Sequence, residues 1–434
     1  MYRRSVESCD SRENFEWEGH RVAEVRRRQH WVAVMGVVLA AGCGQAVTTR
    51  GAVSPADAEP AAVGQSTTTI DDPSGAPAKP IREQATSSQP VGPASGAGRD
   101  PCGAAPMMTV FRLPASGGRP SGVAAGEDGS AWFTDPGTAS IGRLDVTGSV
   151  TRYLLALDSQ PGAIARGPDG NFWFTEAGVV PPGPNVPPGS TTPAIGRITP
   201  AGVVSHFPLP PEAPNPMGGP GMGSPPAAIA AGPDGALWFT EAGADQIGRI
   251  TPDGAITEFA LPSRDTMHAH PTGIVAGSDG AVWFTQPLRE SLGRIDVATH
   301  AFSEFFLPPP RGGIVRANTL ASGSDGALWF EDPRNQAIGR MGPGGTVDIL
   351  PLPVTGDYWP WAVTAGPDGN IWFLDGRGSR VMRITPAGSV TEFPPLEGLS
   401  SGGASQMTAS SDGAIWFTVP DGNAIGHITC TKGE

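Results

Sequence analysis

The stretch PDGALWFTE, residues 233–241, occurs seven times in this chain with small changes. The other copies are EDGSAWFTD (127–135), PDGNFWFTE (168–176), SDGAVWFTQ (278–286), SDGALWFED (324–332), PDGNIWFLD (367–375) and SDGAIWFTV (411–419). Successive copies lie 41–46 residues apart, with one spacing of 65. Self-similarity at such a period is the signature of a repeat architecture.

Each repeat is interpreted as four short strands. An apolar strand such as AIAAG (228–232) meets the Asp-Gly pair, which suits a tight hairpin turn. The WFT strand, an IGRIT strand and a strand such as TEFALP (257–262) follow. Neighbouring Trp and Phe point to opposite faces of a strand, so both faces of each sheet must be buried against other sheets. Seven such sheets predict an all-β fold, a seven-bladed β-propeller.

The two ends of the repeat region predict how the ring closes. The last copy stops after IGHIT (425–429) and lacks its fourth strand, whereas MMTVFRLP (107–114) aligns with the fourth strands elsewhere. We therefore expect this N-terminal strand to complete the last blade of a propeller spanning residues 102–434. Cys102 and Cys430 would then lie side by side, and outside the cytoplasm such a pair predicts a disulfide.

The residues before the propeller predict export. In RRRQHWVAVMGVVLAAGC (26–43), three arginines precede an apolar run that is too short to span a bilayer comfortably. Its end, LAAGCG, resembles the lipobox of bacterial lipoproteins, so we interpret residues 1–43 as an export signal with lipidation at Cys43; ordinary secretion is the alternative. Residues 44–101 are rich in Ala, Pro, Ser, Thr and Gly and predict a disordered tether. We expect a monomer at the cell envelope.

One face of the predicted propeller varies much more than the other. The Asp-Gly and TPxG turns are short and uniform and share the regular face. The loops after WFT and the links between blades share the irregular rim, where binding is expected. Carboxylates follow WFT in most blades, and they either accept hydrogen bonds from rim backbone or form an acidic ring that holds a divalent cation. These ring positions are Asp135, Glu176, Glu241, Gln286, Asp332, Asp375 and Val419.

The xWFTE, IGRIT and TEFPLP phrases resemble those of the virginiamycin B lyase (streptogramin B lyase) family over residues 106–429. The resemblance implies a seven-bladed propeller and a Mg²⁺-dependent elimination that opens a cyclic depsipeptide antibiotic. It also implies a histidine as general base, a second histidine on the substrate, and glutamates on the metal. The family's histidines stand just before the first strands, where this chain has none.

The departure is clearest in the fourth repeat. His270 stands in place of a metal-binding glutamate, Thr272 in place of the base, and Gln286 in place of the glutamate after WFT. A threonine does not titrate near neutral pH and cannot act as that base. We therefore expect the fold to transfer and the lyase mechanism not to transfer.

The segments that lead into the fourth to sixth repeats carry unusual side chains. Aromatic residues beside arginine predict a pocket for a planar or ring-shaped small molecule, or a surface for a protein partner. Alternatives are a carbon–oxygen lyase with relocated catalytic groups, an envelope scaffold, and, for Trp361, a plug of the central channel. The predicted ligand-binding residues are Thr272, Arg316, Asn318, Tyr358, Trp359 and Trp361.

The pair His268 and His270 is the remaining candidate for chemistry. In an extended segment the two imidazoles point the same way, so with Glu241 they are candidates to bind a divalent cation, Mg²⁺ or Zn²⁺, or to act in acid–base catalysis. The alternative is a solvated loop. A net charge of −13 argues against nucleic acid as a partner, and the sequence has no P-loop, dinucleotide fingerprint or HExxH zinc pattern.

Overall fold

The computed structural model describes residues 80–87, 106–114, 116–179, 192–210, 224–262, 268–308, 315–353, 358–376, 380–396 and 406–429. Cys43, Cys102 and Cys430 lie outside these ranges, so the lipidation and the disulfide remain predictions. None of the helical structure in the described ranges has the length and apolar character needed to cross a membrane.

Strands are numbered in chain order from β1 (Ile81–Gln84), β2 (Thr86–Ser87) and β3 (Met107–Arg112). Blade 1 holds β4 (Val123–Ala125), β5 (Ala131–Asp135), β6 (Ser140–Leu144) and β7 (Ser149–Leu154). Blade 2 holds β8 (Pro161–Arg166), β9 (Phe172–Val179), β10 (Thr192–Ile198) and β11 (Val204–Pro208). Blade 3 holds β12 (Pro226–Ala231), β13 (Leu237–Glu241), β14 (Gln246–Ile250) and β15 (Ile256–Ala260).

Blade 4 holds β16 (Ile274–Ala276), β17 (Ala281–Gln286), β18 (Ser291–Asp296) and β19 (Phe302–Phe306). Blade 5 holds β20 (Leu320–Ser322), β21 (Leu328–Asp332), a 3₁₀ turn at Pro333–Asn335, β22 (Ala337–Met341) and β23 (Val347–Pro351). Blade 6 holds β24 (Pro360–Ala365), β25 (Ile371–Asp375), β26 (Arg380–Ile384) and β27 (Val390–Glu392). Blade 7 holds β28 (Met407–Ala409), β29 (Ala414–Val419), β30 (Ala424–Thr429) and β3. The seven-bladed, all-β prediction is confirmed.

The Trp-Phe pair of each second strand joins neighbouring blades. In blade 3, Trp238 packs with Phe284 of blade 4, whereas Phe239 packs with Trp173 of blade 2. The Phe239 ring lies so close to β14 that a Cβ at Gly248 would stand 2.0 Å from it. Glycine is therefore required there, and the IGR phrase follows from the burial of the phenylalanine.

The N-terminal strand closes the ring as the sequence predicts. β3 pairs antiparallel with β30, and Met107 lies opposite Thr429. Blade 7 thus takes its fourth strand from the start of the propeller and its other three from the end.

Part of the predicted tether is ordered, which corrects the expectation for that part. β1 pairs with β7 at the outer edge of blade 1, and β2 pairs with β3 at the outer edge of blade 7. Ala85, between them, is buried and donates its backbone N–H to Gly148 O at 2.8 Å. We call residues 81–87 the strap, because they cross the junction where the ring closes.

Candidate functional site

Threonine hydroxyls on the irregular rim link successive blades. Thr285, the threonine of WFT in blade 4, accepts a hydrogen bond from Gly273 N at 2.8 Å and donates to Asn318 O of blade 5 at 3.1 Å. Thr240 donates in the same way to Thr272 O at 2.8 Å. The backbone just before each such first strand is therefore fixed by the preceding blade, which gives the rim a rigid base.

The structure brings together two of the predicted ligand-binding residues. Thr272 Oγ1 donates to Asn318 O at 3.1 Å and lies 2.9 Å from Thr285 Oγ1. Both residues are half-buried, at the junction of blades 4 and 5. The Thr272 hydroxyl thus contacts the Thr285 hydroxyl and the Asn318 carbonyl, and neither of these groups is acidic or basic.

Glu331 takes the place of the rim threonine in blade 5. Its carboxylate is completely buried and accepts hydrogen bonds from Asn318 N at 2.8 Å, Thr319 N at 2.7 Å and Thr319 Oγ1 at 2.6 Å. Burial raises the pKa of Glu331 to about 7, although these hydrogen bonds act to lower it. The sequence carried this signal, because WFED replaces WFT in this one copy.

The aromatic residues of blade 6 do not form one exposed wall. Tyr358 is buried in the core between blades 5 and 6, and its hydroxyl donates to Glu392 Oε2 at 2.9 Å, so the expectation of a rim-facing tyrosine is corrected. Trp361 is half-buried and packs against the core between blades 6 and 7. Trp359 is also half-buried, and its backbone N–H donates to Asp375 Oδ1 at 3.0 Å.

The central channel is separate from the predicted ligand-binding residues. The channel encloses about 570 Å³ and is lined by small side chains of the first strands, such as Ala124, Ala230 and Ala365. None of the six predicted residues lines it, Trp361 included. Arg316 is half-buried beside Asn318, and its Nε is buried without a hydrogen-bond partner among the described residues.

The carboxylates after WFT cap the rim backbone in blades 1 and 6. Asp135 Oδ1 accepts from Arg119 N at 2.8 Å, as Asp375 does from Trp359 N. The other carboxylate oxygen of Asp135 accepts from Arg152 Nη1 at 2.8 Å. For these two blades the capping interpretation is confirmed.

Blade 2 replaces the arginine partner by a histidine. His206 Nδ1 lies 2.6 Å from Glu176 Oε2. Burial raises the pKa of Glu176. Burial acts to lower the pKa of His206, but the hydrogen bond and the charge of Glu176 raise it. Both residues belong to blade 2, and neither lines the central channel.

His268 and His270 do not converge with Glu241. His270 has a φ of 52°, which breaks the extended geometry that the sequence argument assumed. His268 Nδ1 lies 2.8 Å from Asp245 Oδ2, and His270 N donates to Asp245 Oδ1 at 2.8 Å. Both histidines are exposed, and Glu241 is buried. Within the part of the chain that the structure describes, no three His, Cys, Asp or Glu residues form a group able to hold a metal ion.

Fold and rim together define a seven-bladed propeller with one irregular face. The model of the Virginiamycin B lyase family matches residues 102–219, 190–316 and 266–434. The chain therefore belongs to the virginiamycin B lyase family, and the resemblance found in the sequence is confirmed.

Solved structures of the family are similar over most of the chain. A streptogramin B lyase structure has a TM-score of 0.63 and 30% identity, covering 75% of this chain and 97% of that one. A catalytically inactive virginiamycin B lyase from Staphylococcus aureus with quinupristin also has a TM-score of 0.63 and 30% identity, covering 75% and 99%.

Curated relatives match over a short segment. The virginiamycin B lyase of Bordetella parapertussis (strain 12822) is 57% identical over 37 residues, which are 8% of this chain and 12% of that protein. The chain thus matches only about an eighth of the length of these curated relatives.

Proposed function

We propose that this chain is a binding member of the family, which takes a small ring-shaped molecule or a protein partner on the rim of blades 4 to 6. It is not an efficient streptogramin lyase. The position of Thr272 carries this proposal. Thr272 stands where the resemblance places the general base, and its hydroxyl contacts Thr285 and Asn318 O. Such a hydroxyl takes up no proton near neutral pH.

The second observation in favour concerns the metal. In blade 4 the glutamate that the resemblance implies after WFT is Gln286, whose Nε2 donates to Ser291 Oγ at 3.2 Å and to Glu304 Oε1 at 3.3 Å. An amide in these bonds adds no negative charge for a divalent cation. The other implied metal ligand is His270, whose side chain is exposed and whose backbone N–H donates to Asp245 Oδ1.

The same sector offers groups that suit a planar ligand. Trp359 and Trp361 are only half-buried, and an indole ring is a side chain on which a planar ligand could stack. Arg316 is half-buried, and its guanidinium could donate to a ligand carbonyl or carboxylate. Asn318 lies two residues further along the chain, just before the first strand of blade 5.

Turnover of a streptogramin B tests the first half of the proposal. The protein is incubated with quinupristin and Mg²⁺, beside the Staphylococcus aureus lyase as positive control. Elimination leaves the mass unchanged, so retention time and fragmentation are read. We expect no linear product from this chain. Linearisation that a chelator abolishes would contradict the proposal and favour the lyase alternative.

Binding tests the second half. A library of cyclic and aromatic molecules is screened by ligand-observed NMR against the wild type, Trp361→Ala and the regular-face control Arg143→Ala. We expect ligands that bind the wild type and the control and lose at least tenfold in affinity with Trp361→Ala. A library without ligands, together with an envelope protein that co-purifies, would favour the scaffold alternative.

We also propose that the protein is exported and held at the envelope by lipidation of Cys43. The leader sequence is the support for this step. Membrane fractions from cells expressing Cys43→Ser should lose the protein to the soluble or secreted fraction. Cys9→Ser, a control within the same leader, should leave the distribution unchanged. An unchanged distribution in Cys43→Ser would argue against the anchor.

A further inference from the structure

A cleft opens on the regular face between blades 4 and 5, opposite the irregular rim. It encloses about 250 Å³. Trp283, Phe305, Leu328 and Met341 form its apolar walls, and the turn Gly342–Gly345 forms one side of its mouth. Because it lies on the other face, it is independent of the proposed rim function.

The tryptophan of this junction is less covered than its counterparts. Trp283 is 8% exposed, whereas the equivalent tryptophans of the other blades are at most 2% exposed. Between blades 2 and 3 the turn packs tightly, and a Cβ at Gly254 would stand 2.3 Å from the Phe207 ring. At the cleft the same distance, from Gly345 to Phe305, is 3.8 Å, close to the 3.5 Å and 3.7 Å at the junctions of blades 7 and 1 and of blades 5 and 6.

In the turn of blade 5, glycine occupies two positions where blade 6 has residues with side chains in the same backbone arrangement. In blade 6 the turn reads TPAG from Thr385, and in blade 5 it reads GPGG from Gly342. The backbone bonds agree, since Gly342 N donates to Thr346 O at 2.9 Å and Thr385 N donates to Ser389 O at 2.9 Å. Only the last glycine of the turn, Gly345, has a positive φ, of 79°.

Packing does not require glycine at the other two positions either. A Cβ at Gly342 would have its nearest neighbours 3.8 Å away, and a Cβ at Gly344 would have none within 4 Å. Neither backbone strain nor a close neighbour explains these two glycines. Their effect is to leave the mouth of the cleft open.

The walls of the cleft select for an aromatic ring. The Trp283 and Phe305 rings lie 4.9 Å apart between centroids at an angle of 39°, and both residues line the cleft. Trp283 Nε1 donates to Asp279 Oδ1 at 3.0 Å, and Asp279 Oδ2 accepts from Arg294 Nε at 2.7 Å. This ion pair neutralises its own charge and leaves polar atoms at the edge of an apolar floor, an arrangement that suits a neutral ring with one polar group.

We propose that this cleft is a second binding site, for a small neutral aromatic molecule of the size of indole or phenol. The ring lies against Trp283 and Phe305. Its polar group faces the edge formed by Asp279 and Arg294.

Two serines provide a matched pair of variants. Ser278 lines the cleft, is exposed, and donates to Gly326 O at 2.9 Å. Ser324 is the same exposed residue one blade later and donates to Gly369 O at 3.2 Å, but it does not line the cleft. Ser278→Phe places a ring over the mouth, and Ser324→Phe makes the same change elsewhere.

Titration with indole, followed by ligand-observed NMR, tests the proposal. We expect saturable binding to the wild type and to Ser324→Phe, and at least tenfold weaker binding to Ser278→Phe. Phe305→Leu, which copies Leu350 of blade 5, should keep the fold and weaken indole binding severalfold. Phenol should bind at least tenfold more tightly than cyclohexanol. No saturable binding, equal affinity in the two serine variants, or equal affinity for phenol and cyclohexanol would overturn the proposal.

Discussion

At the scale of single residues, Glu331 couples the rim to pH. The folded protein holds the pKa of Glu331 at about 7, against an ordinary value of 4.5, chiefly because the carboxyl is buried. Between these two values the folded state binds the proton more tightly than the unfolded chain does. Stability therefore falls as pH rises through this window, and the full cost, about 3 kcal/mol, is present above pH 7.

Glu331→Thr restores the hydroxyl that other blades carry at this position. We expect this variant to gain stability over the wild type at pH 8 and to gain much less, or to lose, at pH 4.5. Denaturant unfolding at both pH values measures the difference. Glu331→Gln, which keeps the shape without the charge, should show the same trend. A difference between wild type and variants that is equal at both pH values would show that Glu331 does not titrate in this window.

Individual residues also show where the alternation of side chains along a strand fails to predict the structure. The repeated Trp and Phe predicted their own burial because adjacent strand residues face opposite sides. Trp361 and His270 depart from that rule, because a left-handed residue stands next to Trp361 and His270 is itself left-handed. β24 changes register between Trp361 and Val363, with a φ of 48° at Ala362, and His270 has a φ of 52°. A left-handed residue redirects its neighbours, and nothing in the side-chain pattern announces it.

At the scale of elements, the strap is the feature that the composition of residues 44–101 did not predict. Residues 81–87 read IREQATS and show no apolar alternation. They bind mainly through backbone hydrogen bonds to the outer edges of blades 7 and 1, and any sequence without proline can make such bonds. The blades were predictable because their side chains are buried on both faces. The strap was not predictable, because it pairs through its backbone with the outer strands of two blades.

Ala85 tests whether the strap stabilises the closure. Ala85 is buried against the core that includes Phe111 and Val150, whereas Thr86 is exposed. Ala85→Lys should destabilise the propeller by about 1–3 kcal/mol, because it buries a charge or expels the strand. Thr86→Lys should change stability by less than about 0.5 kcal/mol. Thermal unfolding of both variants measures this, and equal melting temperatures would show that the strap carries no stability.

At the scale of the whole molecule, blade 7 is where the ring can open. Its outer strand β3 comes from the N-terminal end, so backbone pairing and side-chain packing hold the closure together. Its regular face is also atypical. In blades 3 to 6 an arginine lies over the tryptophan and pairs with the Asp of the turn, as Arg249 does with Asp234 at 2.7 Å. In blade 7 the residue is His427, stacked on Trp416, and burial lowers its pKa to about 4.

A histidine that is neutral at pH 7 makes no ion pair with the turn, so blade 7 lacks the charged contact that Arg249 gives blade 3. The predicted disulfide would compensate for this at the junction. Met107 lies opposite Thr429. In the sequence, Cys430 directly follows Thr429, and Cys102 precedes Met107 by a few residues. A bridge between them would close a loop of about 330 residues and, in the chain-entropy model, stabilise the ring by about 6 kcal/mol.

The exported protein should therefore yield a Cys102–Cys430 cross-linked peptide in non-reducing mass mapping. Reductant, or Cys102→Ser with Cys430→Ser, should lower the melting temperature by roughly 10 °C, since each kcal/mol shifts a domain of this size by a few degrees. Reductant added to the double variant should have no further effect, which separates loss of this bridge from other actions of the reagent. Two free thiols in the exported protein, with an unchanged melting temperature in the variant, would show that strand pairing and the strap close the ring without a covalent bond.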